Sequence, residues 1–184
     1  MIRRPPSSKK MWRMNQSAAP FGAPVFAYGS NLAVDQMKKR KVRWEENRVE
    51  MAELDNFRLV FRGESARPEY EGGGLADLDA EPGSKVLGVV YWTDGSLENL
   101  DRAEGVFEPY PDGCCRIDVT VQTGRGLIAA QTYVRKCKGP PNPPHDTYLR
   151  KIIDGGRAHG LPRVWVDEVR EAAWRSHLEA RSRR

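Results

Sequence analysis

Between Cys115 and Lys136 the chain reads CRIDVTVQTGRGLIAAQTYVRK. Cys115, Ile117, Val119 and Val121 fall on one side of an extended strand, and Arg116, Asp118 and Thr120 fall on the other. Gly124-Arg125-Gly126 then turns the chain into a second apolar run, Leu127 to Lys136. So short a link joins only antiparallel neighbours, because a parallel pair needs a crossover of about a dozen residues or more. This hairpin limits the fold more than any other stretch.

The rest of the middle agrees with it. Pro24–Tyr28, Arg48–Arg62, Gly74–Ala80 and Lys85–Asp94 read as strands, with Glu81-Pro82-Gly83 as the turn between the last two. Helical patterns lie at the edges. One covers Leu32–Arg40 behind a cap at Ser30 or Asn31; another covers Ser96–Gly105, with Ser96 as N-cap. His145–Gly160 is stopped by Gly160 and Pro162, and Val166–Arg181 follows. Strands joined by hairpin-like links, with helices outside, predict an α+β fold around a mostly antiparallel sheet.

The 184 residues suit one domain with tails. We divide them into a flexible basic leader (1–23), a folded domain (24–170) and a helix end with a basic tail (171–184). The leader has no continuous apolar core, which excludes a secretory signal, and no run elsewhere is long enough to span a bilayer. Much of the +5 charge sits at the ends, in Arg3, Arg4, Lys9, Lys10 and Arg13 and in Arg181, Arg183 and Arg184. A body nearer neutral argues against a nucleic-acid face. Three cysteines without a Cys-x-x-Cys pair suggest a reducing, cytoplasmic setting, and three scattered histidines have no metal spacing.

Two local features carry chemistry. Val25 to Met37, VFAYGSNLAVDQM, ends a strand in Gly29-Ser30-Asn31. Such a turn either caps the next helix or offers its free amides to an anion. It has neither the lysine of a Walker loop nor the further glycines of a dinucleotide fingerprint. The second feature is Glu104. At about 100° per residue it shares a helix face with Leu97 and Leu100, opposite Glu98 and Arg102, so it is aimed inward. Burial there would raise its pKa into the range useful for proton transfer. The plainer alternative is a helix-end carboxylate that bends to solvent, and Asp101 is its rival on nearly the same face.

Taken in order, FAYGSNL, LDRAEGV and PPHDTYLRKIIDGGRAHGLP resemble three segments of the gamma-glutamylcyclotransferase family, and GGGLADLDAEPGSKVLGVVYW fits its central strands. The resemblance runs from about Val25 to Val169. It implies a small, mostly antiparallel β-barrel flanked by α-helices. The implied reaction is intramolecular: the α-amine of a γ-glutamyl group attacks its own γ-carbonyl, giving 5-oxoproline and a free amine. Glu104 would be the catalytic acid–base. Tyr28, Gly29, Ser30, Asn31 and Leu32 would hold the substrate, and Tyr133 would line the pocket. EGVFEPYPDGCCRIDV carries about three extra residues, so Tyr110 would stand, shifted, for a family pocket tyrosine. The resemblance implies no metal, no cofactor, and a small γ-glutamyl molecule as partner. The glutathione-specific branch has a different loop, which ranks intact glutathione lower. A non-catalytic binder on the same scaffold is the alternative, and monomer and homodimer stay open.

Overall fold

The computed structural model describes residue 22 and residues 24–109 and 113–183. The expected leader, apart from Gly22, and Tyr110 therefore lie outside the described residues. Five strands form a closed barrel in the order β1-β3-β2-β4-β5. They are β1 (Pro24–Ala27), β2 (Trp44–Arg62), β3 (Leu75–Thr93), β4 (Cys114–Thr123) and β5 (Gly126–Arg135). Four of the contacts between neighbours are antiparallel and one, β1 with β5, is parallel. The barrel predicted from the sequence and its resemblance is the one observed. Helices α1 (Val34–Lys39), α2 (Glu98–Ala103), α3 (Asp146–Ala158) and α4 (Arg163–Ser182) pack outside it.

The hairpin is as read. Thr123 pairs with Gly126 across the two-residue loop Gly124-Arg125. Inward residues alternate, so Phe26, Leu54, Leu78, Val90, Val121 and Ala130 bring all five strands into one buried cluster. The opposite face of β1 and β3, with Val25, Val89 and Tyr91, packs with Ile152, Trp165 and Val169 of the helices. β1 is thus buried on both faces, which accounts for its short unbroken apolar run.

Three expected details are corrected. Glu81-Pro82-Gly83 does not end a strand; β3 runs through it. Asp55 pairs with Lys85 and Phe57 with Ala80, so Glu81 to Ser84 bulge opposite Asn56. Asn56 and Gly83 both take positive φ there, and the Gly83 N–H donates to Asn56 Oδ1 at 3.1 Å. Pro82, lacking an N–H, is tolerated because a bulge needs no ladder bond from it. Second, the helix placed at Leu32–Arg40 divides: Ser30–Leu32 is a 3₁₀ turn, Ala33 is extended, and α1 begins at Val34. Neither Ser30 nor Asn31 caps it with a side chain. Third, Ser96 is not the cap of α2. Its N–H donates to Asp94 Oδ1, and the helix starts one turn residue later, behind Leu97.

α3 sits unusually close to the turn at the end of β1. A Cβ on Gly155 would lie 2.6 Å from Ala33 N and 2.7 Å from Leu32 C. A Cβ on Gly156 would lie 2.1 Å from the Trp165 ring of α4. The glycine pair lets one helix press on the turn and on its neighbour at once. No described helix is long and apolar enough to cross a membrane.

Candidate active site

β1 and β5 share one register pair, Val25 with Gln131. Beyond it the parallel seam opens and side chains replace the ladder. Thr132 Oγ1 donates to Phe26 O at 2.9 Å, and the Tyr28 hydroxyl donates to Tyr133 O at 2.6 Å. A cavity of about 390 Å³, its open mouth included, lies at this split. Tyr28, Gly29, Ser30 and Asn31 line it, together with Glu104, Cys114, Tyr133 and Tyr148.

The 3₁₀ turn supplies its donors. Leu32 N–H donates to Gly29 O and Ala33 N–H to Ser30 O. The N–H groups of Gly29, Ser30 and Asn31 precede the first such bond and have no acceptor among the described residues. Leu32, expected in the donor set, is different: its N–H is used within the turn and its side chain is buried in the core. Its carbonyl is held by the Tyr91 hydroxyl at 3.2 Å and by His159 Nε2 at 2.9 Å. A Cβ on Gly29 would come 3.2 Å from that of Ala76, so a side chain there would crowd the cavity wall.

Glu104 follows the last residue of α2, and its N–H still bonds to Leu100 O. Gly105 then takes φ 68° and turns the chain away. The carboxylate is 17 % exposed and points into the cavity rather than to solvent. Oε1 accepts Asn31 Nδ2 at 2.8 Å and the guanidinium of Arg40. Arg40 Nη1 also donates to Asn31 Oδ1 at 2.5 Å, closing a triangle. Oε2 has only a weak contact, Cys114 Sγ at 3.9 Å. One carboxylate oxygen is therefore fixed by two donors and the other is left to meet a proton. Burial is not the whole of its environment, because a nearly buried cation, Arg40, lies beside the acid.

The rival carboxylate has other work. Asp101 is buried, accepts the Tyr133 hydroxyl at 2.8 Å and Arg116 Nη1 at 2.6 Å, and does not line the cavity. Burial, then the hydrogen bond to Asp101, pushes the Tyr133 ionisation well up. Burial, then Asp77, does the same for Tyr28. Tyr148 of α3 accepts the Ala76 N–H at 3.3 Å and is pushed up to about 12, chiefly by burial. Cys114 is likewise raised to about 12, by burial first and the Glu104 carboxylate second. All these hydroxyls and the thiol are neutral donors near pH 7. Among the described residues no His, Cys, Asp and Glu side chains gather as a metal set.

Sequence reasoning thus brought Tyr28, Gly29, Ser30, Asn31, Glu104 and Tyr133 to one cavity, and missed Arg40, Tyr148 and Cys114. Arg40 reads as a cation in a helix's last turn, and Tyr148 as part of an apolar helix stripe with Ile152. Cys114 reads as an inert strand cysteine. Nothing local distinguishes any of the three from those roles.

Residues 85–169 match the AIG2-like family. No curated protein matches the chain by sequence. The fold is similar to that of a structure described as a gamma-glutamyl cyclotransferase, with 27% identity and a TM-score of 0.68 over 80% of this chain and 86% of that one. An uncharacterized protein from Homo sapiens is similar at 28% identity, with the same TM-score and coverage. A yeast gamma-glutamyl cyclotransferase described as specific to glutathione shares the fold at 14% identity and a TM-score of 0.55, over 83% of this chain and 97% of that one.

Proposed function

We propose that this chain, AIG2-like in its second half and folded as gamma-glutamyl cyclotransferases are, cleaves γ-glutamyl amino acids or amines to 5-oxoproline and the free amine. The observation that carries the proposal is Glu104. Its carboxylate lines a cavity that a turn with three unused N–H groups also lines, and its Oε2 meets only the Cys114 thiol.

In this reading the γ-glutamyl group folds back on itself so that its α-amine meets its γ-carbonyl carbon. Tethering makes the attack intramolecular, and holding the folded shape can supply about 7–11 kcal/mol in favourable cases. Oε2 of Glu104 takes a proton from the α-ammonium. The amine adds to the carbonyl. The carboxyl returns its proton to the leaving nitrogen as that bond breaks, then takes the second proton from the new ring nitrogen. 5-Oxoproline is thus a neutral lactam, and the released amine leaves with that second proton as its ammonium. Arg40 and Asn31 hold Oε1 and so keep Oε2 facing the substrate. The amides of Gly29, Ser30 and Asn31 would stabilise the carbonyl oxygen or grip the α-carboxylate. The neutral hydroxyls of Tyr133 and Tyr148 would bound the cavity and keep water from the folded tail.

The test is a panel of γ-glutamyl amino acids and amines, with 5-oxoproline read by mass spectrometry. Wild type should form it, and Glu104→Gln should retain thermal stabilisation by the same compounds while losing turnover by about 10³-fold, the middle of the range for general acid–base effects. Wild-type rates in that variant reject the assignment. Stabilisation of the wild type with no product from any compound would make the chain a binding module instead.

A further inference from the structure

Arg135 is the exception among the partly buried arginines of the described residues. The other partly buried arginines are paired: Arg40 with Glu104, Arg58 with Asp79, Arg62 with Asp77 and Asp79, Arg48 with Glu45 and Glu50. Arg135 is half-buried and its guanidinium makes no ion pair or hydrogen bond; its Nε is buried without a partner. Its neighbours on the strand and at Gly63 locate it. The guanidinium lies next to Gly63, with Nη2, Cζ and Nε 3.5 to 3.6 Å from where a Cβ on that glycine would stand. The Arg135 main-chain N–H is fixed to Asp77 Oδ1 at 3.0 Å.

Its position gives that unused cation a meaning. Arg135 pairs with Cys114 across the β4–β5 ladder, and Tyr133 is two residues back on the same face. Both neighbours line the cavity, whereas Arg135 does not. A half-desolvated, unpaired guanidinium beside a cavity is suited to bind a carboxylate, since its planar fork matches two oxygens. The glutamyl head has its own donors inside, in the Gly29–Asn31 amides. What reaches past Tyr133 must project from the cavity, and that is the leaving group.

We propose that Arg135 binds the carboxylate of the leaving amine, so that the preferred substrates are γ-glutamyl α-amino acids, not amines lacking an acid group. The proposal rests on the cyclotransferase reading. In the Michaelis complex the leaving nitrogen and the leaving carboxylate flank one carbon, so a grip on the carboxylate aims that nitrogen toward Glu104.

The experiment compares γ-glutamylalanine with γ-glutamylethylamide, which differ only by the carboxylate. It follows 5-oxoproline in wild type, Arg135→Met and Arg135→Lys, each checked for folding by circular dichroism. Wild type should favour the alanine compound by about 10- to 100-fold in kcat/KM, the range for a hydrogen bond to a charged group. Arg135→Met should bring that ratio to about one, mainly through KM, and Arg135→Lys should restore part of it. A wild type that does not discriminate overturns the proposal, as does an Arg135→Met that keeps the ratio or loses both substrates equally. If wild type turns over neither compound, the cyclotransferase reading fails. Thermal shifts with the same pair then decide the receptor: a larger shift with the alanine compound that vanishes in Arg135→Met supports it, and equal shifts reject it.

Discussion

Arg40 is where a single side chain does most for the site. Glu104 is too enclosed to be solvated as a free anion, and the Arg40 side chain, 7 % exposed, is no better solvated alone. Each makes the other tolerable, and Asn31 bonds to both. Removing one partner leaves a nearly buried charge unmatched. Arg40→Met should therefore cost about 3–5 kcal/mol, more than losing an exposed pair such as Lys39–Asp35, which is worth about 0–1 kcal/mol. Urea unfolding of Arg40→Met beside Lys39→Met measures the difference; equal losses would show that the triangle does not carry this load. Arg40→Lys, which keeps the charge but not the fork, should fall between them.

Among the elements, the contact of α3 with the 3₁₀ turn does most to shape the cavity. Gly155 puts a bare backbone against Leu32 and Ala33, immediately after the three free amides. A methyl group there meets backbone, which cannot swing aside as a side chain can. Gly155→Ala should lose about 1–3 kcal/mol of stability by overpacking. It should also lower turnover, because the turn must shift. Gly124→Ala, where an added Cβ meets nothing within 4 Å, should leave the melting temperature within a degree or two. Melting curves and 5-oxoproline rates of the two variants check both halves of this statement. The same element level shows what could be read in advance. The β4–β5 hairpin and the inward alternation of its strands were legible because a period of two and a Gly-rich link are local properties. The continuity of β3 was not, since Glu-Pro-Gly has one appearance in a turn and in a bulge, and only the partner strand decides between them. Glu104 was legible as inward-facing from its helix phase. Arg40 and Tyr148 were not, because their roles depend on chain segments 64 and 72 residues distant.

At the level of the molecule, the barrel closes by joining its first and last strands in parallel over one register pair, and the closure is completed by side chains. The Tyr28 hydroxyl bridges the seam to β5, Tyr133 ties β5 to α2 through Asp101, and Tyr148 ties α3 to β3. Tyr91 holds the turn through Leu32 O. All four ionise above their ordinary value of 10, with burial the first cause in each. The sign of the resulting pH effect follows. Below about pH 10 these tyrosines are neutral in both folded and unfolded chains, so their contribution to stability is fully present. As pH rises past 10 the unfolded chain releases protons that the folded chain retains, and stability falls until the folded values are reached, about 12 for Tyr148. Alkaline unfolding should therefore be cooperative and steep above pH 10. Absorbance of tyrosinate near 295 nm should rise together with loss of the far-ultraviolet circular dichroism signal. Most of the tyrosine signal appearing before any unfolding would mean that the seam is open to solvent, and the barrel would then be closed by its ladder alone. The variant Tyr28→Phe separates the two cases: it removes the seam bridge and one late-ionising group, so its alkaline transition should move to lower pH and become shallower.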